Sequence, residues 1–142
     1  MLRDEFTSPG DRDPDDLRAA YEDVLADTID AVGFETVAGE TGLDAETLEA
    51  LVAGESPEVT LEDAAAILAT DPDRPDADFL IADARDILLM GMSTAVLDVE
   101  AIQSGISGRM EAKEIQQKVE GRYPMTIGEY AILHQYIEEH KP

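Results

Sequence analysis

The chain has no cysteine and no tryptophan among its 142 residues. The first absence excludes disulfides and thiolate metal sites, and it is compatible with a reducing interior. Aromatic residues make up only 5% of the sequence, so a core must be built mainly from Leu, Ile, Val, Ala and Met. No apolar run approaches the roughly 20 residues that a membrane-spanning helix requires. Residues 1–10 are polar and acidic, unlike a secretory leader. A soluble, cytoplasmic protein without membrane contact is expected. Basic residues are also scarce: three Lys and seven Arg stand against 33 acidic residues, for a net charge of −23. That imbalance fits an acidic disordered chain or a surface adapted to a high-salt cytoplasm, where carboxylate-rich, lysine-poor proteins stay soluble through net charge. The acid is spread along the chain and not gathered in a tail, which favours the second reading.

What is present is regular. Residues 45–68, AETLEALVAGESPEVTLEDAAAIL, and residues 112–133, AKEIQQKVEGRYPMTIGEYAIL, repeat one pattern. Ala45, Leu48, Val52, Gly54 and Pro57 recur 67 positions later as Ala112, Ile115, Val119, Gly121 and Pro124. After one residue is dropped, Thr60, Leu61, Asp63 and Ala65 recur as Thr126, Ile127, Glu129 and Ala131. Each copy reads as a short helix, a glycine stop, a proline-bearing turn and a capped second helix.

Around these copies the pattern is helical throughout, and the fold class is all-α. Residues 1–13 read as a flexible acidic arm. Asp13 caps a helix with Pro14 at its first position and Gly33 at its end. Leu17, Tyr21, Val24, Thr28 and Val32 form its stripe, widened by Leu25 and Ile29. Residues 34–41 form a short helix stopped at Gly42. Asp44 caps a helix to about Ala53, with Leu43, Leu48 and Val52 as anchors, and Thr60 caps the next. The prolyl stretch 71–75 divides a subdomain over residues 14–70 from one over residues 76–142. In the second, Asp76 or Asp78 starts a helix ending at Gly91. A helix over 93–104 follows, with Ala95, Val96, Val99 and Ile102 inward. Residues 110–120 form another, and Thr126 with Glu129 makes a capping box for a last helix to about Glu139.

Residues 32–69 resemble the Cro/C1-repressor type of helix-turn-helix domain. The run Val37-Ala38-Gly39-Glu40-Thr41-Gly42-Leu43 takes the place of that family's scaffold helix and turn. Residues 44–53 take the place of its recognition helix. The resemblance implies a helix-turn-helix-like bundle and a regulatory or binding role. It would imply DNA as a partner, but between Arg18 and Arg74 there is no Lys or Arg, while 15 Asp and Glu occupy the stretch. DNA binding relies on cations at phosphates and on Arg or Lys reading guanine. Asp44, Glu46, Thr47 and Glu49 offer neither.

The second copy differs in charge. Residues 1–75 carry a net −17 and residues 76–142 a net −6. Arg109, Lys113, Lys118 and Arg122 lie within fourteen residues, with Gln116 and Gln117 able to read adenine. With Ala112, Ile115 and Val119 as the inward stripe, the basic groups are expected to face out. They are the candidate partner- or nucleic-acid-binding residues. The plainer alternative is an i,i+4 pair between Glu114 and Lys118, with Arg109 and Lys113 bridging to neighbouring acids.

The acidity, the low lysine content and the segments LLMGMSTAVLDVE and AKEIQQKVEGRYPMT make the chain look like an uncharacterised family of small acidic haloarchaeal proteins, which implies a halophilic archaeal cytoplasm and no activity. No catalytic constellation is visible, and no cofactor or metal is expected. His134 and His140 are six apart, the wrong spacing for one helical face, and read as solvated or helix-dipole partners. Asp71-Pro72-Asp73 reads as an acidic turn before a weak cation site. Met90, Met92, Met110 and Met125 with Leu88, Leu89 and Leu97 form the most apolar region, mostly core, with any excess available as a dimer face. The expected function is a non-enzymatic regulatory or adaptor protein that binds a protein partner or itself. A transcription regulator using the 109–122 helix on DNA is the alternative, and an enzyme comes third.

Overall fold

The structure, a computed structural model, describes residues 13–142; the expected arm lies, apart from Asp13, outside the described residues. These residues form eight helices: α1 Pro14–Val32, α2 Phe34–Thr41, α3 Ala45–Val52, α4 Leu61–Ala69, α5 Ala77–Ala95, α6 Val99–Gly105, α7 Ala112–Val119 and α8 Ile127–Glu139. The all-α class expected from the sequence is the one observed.

Side-chain caps set most helix starts. Asp13, Asp44, Thr60, Asp76, Asp98 and Thr126 each accept a backbone N–H from the first turn of the helix they precede. Each of these satisfies a donor that the helix itself leaves unpaired. Between α2 and α3 the chain turns at Gly42, whose φ of 68° is left-handed and suits a residue without Cβ. The expected α1 stripe is rotated slightly. Leu17, Tyr21, Leu25, Thr28 and Ile29 are buried, while Val24 and Val32 pack at the margin. In α3 the buried anchors are Leu48 and Leu51, whereas Val52, expected inside, is exposed.

The middle of the chain departs most from the sequence expectation. Helix α5 does not stop at Gly91 but runs through it to Ala95. Gly91 is a packing residue: a Cβ there would lie 2.6 Å from Ile137 Cγ2, so its bareness lets α5 approach α8. The break falls at Val96, and Asp98 then caps a shorter α6. Of the residues expected inward here, Ile102 is buried and Val96 is 88% exposed. Met110, expected to open α7, precedes it as a buried residue, and the Gln103 side chain accepts the Ala112 N–H at 2.6 Å.

Four helices precede the turn at residues 71–75 and four follow it, and the two sets are interlocked. Helix α1 packs on α8 and α4 packs on α5, so the first helix of each set lies against the last helix of the other. One core cluster runs through both, from Leu17 to Ile137. At the centre Thr60 and Thr126 form an antiparallel bridge. Leu61 N–H donates to the Met125 carbonyl at 2.8 Å, and Ile127 N–H donates to the Val59 carbonyl at 2.7 Å. The bridging residues are the very pair that the sequence repeat equates. The two bonds are copies of each other, so the halves face each other across an approximate two-fold axis through this bridge.

Arginines of the long helices tie the halves at either side. Arg18 donates to the Ser56 and Pro57 carbonyls at 3.3 and 3.1 Å and to Glu22 at 3.2 Å. It also lies against Gly128 at the start of α8. Arg85 donates to Glu62 of α4 at 3.0 Å and lies against Gly121 before α8. Under the shared core, Tyr21 of α1 and His134 of α8 share a hydrogen bond of 2.5 Å. The Tyr130 hydroxyl donates to the Ala84 carbonyl of α5 at 3.1 Å.

Candidate partner-binding face

The sequence singled out the residues of α7 and its flanks. Ile115 and Val119 are buried and fix which face of α7 turns outward. Arg109 sits before the helix, exposed, with Nε donating to the Ile106 carbonyl at 2.9 Å. Lys113 is exposed and has no ion-pair partner among the described residues. Gln116 is exposed and donates to Glu120 at 3.3 Å; Arg122, beyond the helix end, pairs with the same Glu120 at 3.1 Å. Gln117 is half-buried at the edge of a cleft.

Lys118 is not where the sequence reading put it. Its side chain is only 16% exposed, and its ammonium donates to Glu114 at 2.7 Å and to Glu129. Two spacings cause this. Glu114 is one turn back on α7, and Glu129 is drawn close because its other carboxylate oxygen accepts the Thr126 N–H at 2.9 Å in the capping box. Burial disfavours the ammonium, but the hydrogen bonds and charges of Glu114 and Glu129 outweigh it and raise the Lys118 pKa. The bond from Lys118 in turn lowers the Glu114 pKa against the opposing effect of burial. Lys118 is a charged internal staple between α7 and α8. The alternative of a Glu114–Lys118 pair is the one observed, with Glu129 as a third member that only the fold brings near.

A cleft of about 560 Å³ opens beside this staple. Glu58 and Thr60 of the first half face Glu114, Gln117, Lys118 and Tyr123 of the second across it, with Thr126 and Glu129 at its floor. Its walls carry three carboxylates against one ammonium, which repels phosphate. The first half offers no better DNA surface. On α3, Glu46 and Glu49 are exposed, and the Asp44 carboxylate caps the helix by accepting the Glu46 N–H at 3.3 Å.

The histidines divide. His140 is exposed at the end of α8, with Nδ1 2.8 Å from the Tyr136 carbonyl and its ring stacked on Tyr136. His134, expected to be solvated, is buried among Tyr21, Tyr130 and Glu138. Burial lowers its pKa to about 4, although the Glu138 carboxylate pulls the other way. The ring is neutral at pH 7. The sequence signal for this was its spacing from Tyr130, which places both on the inward face of one helix. The Asp71 carboxylate folds back to accept the Asp73 N–H at 2.9 Å and faces Arg74 at 3.9 Å. Among the described residues no group of three or more His, Cys, Asp or Glu is arranged to hold a metal ion, and no helix is long and apolar enough to cross a membrane.

The apolar region around α5 also divides. Leu88, Met110 and Met125 are buried, Met92 and Leu97 are half-buried, and Leu89 and Met90 are exposed. Val96 and Phe79 add to the exposed set.

The chain belongs to a family of unknown function, DUF5791, whose model matches residues 17–140 and so spans both halves. No curated protein and no solved structure matches the chain.

Proposed function

We propose that this chain is a non-enzymatic regulatory or adaptor protein of the cytoplasm, and that it acts by binding another protein through the outer face of α7 and its flanks. The observation that carries this reading is the fate of the basic residues. Lys118 is consumed by Glu114 and Glu129, and Arg122 is paired with Glu120. What remains outward is a mixed face of Arg109, Lys113, Gln116, Glu120 and Arg122, the last 68% exposed beside Glu120, with Tyr123 exposed next to it. A protein–protein interface uses such a blend of Arg, Tyr and paired charge. A duplex is held chiefly by cations meeting several phosphates, each contact adding to affinity and to its salt dependence, and acids interspersed among the cations oppose that.

The test uses the double variant Arg109→Glu with Lys113→Glu, which leaves the Lys118 staple intact. Tagged full-length wild type should recover a protein in stoichiometric amount from a native lysate, and the variant should not. Fluorescence anisotropy with genomic DNA fragments should show no binding for either. A DNA shift by the wild type that the variant loses would replace this reading with that of a transcription regulator.

A further inference from the structure

The solvent face of α5 carries large apolar residues at positions where the matching face of α1 has aspartate or small residues. Both helices are 19 residues long, begin after an aspartate cap and end at a residue of positive φ. Matching their ends pairs Asp16 with Phe79, Asp23 with Asp86, Ala26 with Leu89, Asp27 with Met90 and Gly33 with Val96. On α1 the aspartates of this face are exposed. On α5, Phe79 is 56% exposed, Leu89 42%, Met90 60% and Val96 88%. The fold therefore does not require apolar residues here.

Val96 adds a second, independent observation. It holds φ 56° and ψ 50°, the left-handed region, at the end of α5. A β-branched residue rarely adopts that conformation. The first half places Gly33 at the same point. Val96 keeps its side chain almost wholly in solvent, so nothing within the described residues repays the strain. Behind it lies a groove of about 510 Å³ between Leu89, Met92, Val96 and Leu97, with Asp98 on its wall. Asp86 is exposed one turn before Leu89 and Met90 on the same face. The basic groups that touch α5 are already paired: Arg85 with Glu62, and Lys141, which lies against Gly91, with Glu138.

We propose that the groove at the α5–α6 corner, lined by Leu89, Val96 and Asp98 and continued along the exposed face of α5 by Met90 and Asp86, is the docking site for a basic amphipathic helix of a partner protein. The apolar stripe of such a helix fills the groove in the manner of helix-in-groove recognition, and its Lys or Arg residues meet the flanking carboxylates. Charge argues against a second copy as the occupant, since the chain carries −23 and would present the same carboxylates to itself. This site is distinct from the α7 face and stands if that reading fails.

The probe is a synthetic peptide of about 18 residues with Leu at helical i, i+3, i+4, i+7 spacing and Lys elsewhere, added to ¹⁵N-labelled full-length protein in KCl that keeps its circular dichroism native. Amide shifts should change at residues 86–100 and not along α7. Val96→Gly should leave the melting temperature unchanged or raised while weakening binding at least tenfold, and Met90→Asp should also weaken it. A Glu-for-Lys version of the peptide should not bind. No shift at millimolar peptide, shifts confined to other surfaces, or equal binding by Val96→Gly would each overturn the proposal. So would sedimentation showing a dimer of the wild type that Val96→Asp dissolves.

Discussion

The two halves of this molecule solve one structural problem with two different surfaces. Each has a long aspartate-capped helix, two short helices and a threonine-capped last helix, and the halves meet at Thr60 and Thr126 through reciprocal backbone bonds. What they share is what the interlocked fold needs. What they do not share is informative for the opposite reason. Leu51, buried in α3, corresponds to Lys118, held between two glutamates in α7. An acidic outer face on α1 corresponds to an apolar one on α5. Gly33 corresponds to the strained Val96. The first half is the more acidic, and the second carries most of the large exposed apolar groups, with Val52 of α3 the exception, and the groove at the α5–α6 corner.

The comparison can be broken most severely at the Leu51–Lys118 pair. Leu51→Lys buries an ammonium where Thr47 and Asp63 stand in place of Glu114 and Glu129, and should cost about 3 kcal/mol or more in urea unfolding. Lys118→Leu leaves Glu114 and Glu129 without their shared cation but buries no new charge, and should cost less, about 1–2 kcal/mol. Equal losses from the two would mean that the positions are not structural counterparts.

The buried histidine has no equivalent on α4 and gives the molecule a pH dependence. Its pKa falls from 6.5 to about 4 on folding. Between those values the unfolded chain binds a proton that the folded chain refuses, so stability is full above pH 6.5 and declines as pH drops toward 4. The loss should reach the order of 3 kcal/mol. His134→Phe should flatten this window when its unfolding is compared with wild type pH by pH, and matching slopes would contradict a neutral buried ring.

Smaller effects sharpen the account. Gly33→Val should cost about 1–3 kcal/mol in thermal melting, since Gly33 holds φ 110° and ψ 130°, a conformation further from those open to valine than the left-handed one at Val96. Thr60→Ala should cost about 1 kcal/mol. Thr126→Ala should cost about the same, because it too removes one hydroxyl bond, while Glu129 still accepts the backbone N–H of residue 126. A much larger loss at Thr126 would show that the two arms of its capping box depend on each other.

Much of this was legible in the sequence because caps, glycine stops and periodicity are local. The repeat equated Thr60 with Thr126, and those residues meet. Local signals failed where a glycine or a charge answered to a distant partner. Gly91 looked like a stop but makes room for Ile137. Lys118 looked outward because Glu129 is eleven residues away and reaches it only through the turn at Pro124. Val96 looked inward because no periodicity predicts a valine in left-handed conformation. The basic cluster of α7 and its flanks is visible in the sequence from charge alone, whereas the exposed apolar residues of α5 stand out only against the aspartates of α1.

The large apolar residues exposed on α5 are surplus to folding. The direct test gives α5 the outer face of α1: Phe79→Asp, Leu89→Ala, Met90→Asp and Val96→Gly in one chain. Circular dichroism in KCl should show unchanged helix content and a cooperative melt at or above the wild-type temperature. A non-cooperative or sharply lowered melt would show that those residues serve the fold itself and would contradict the account.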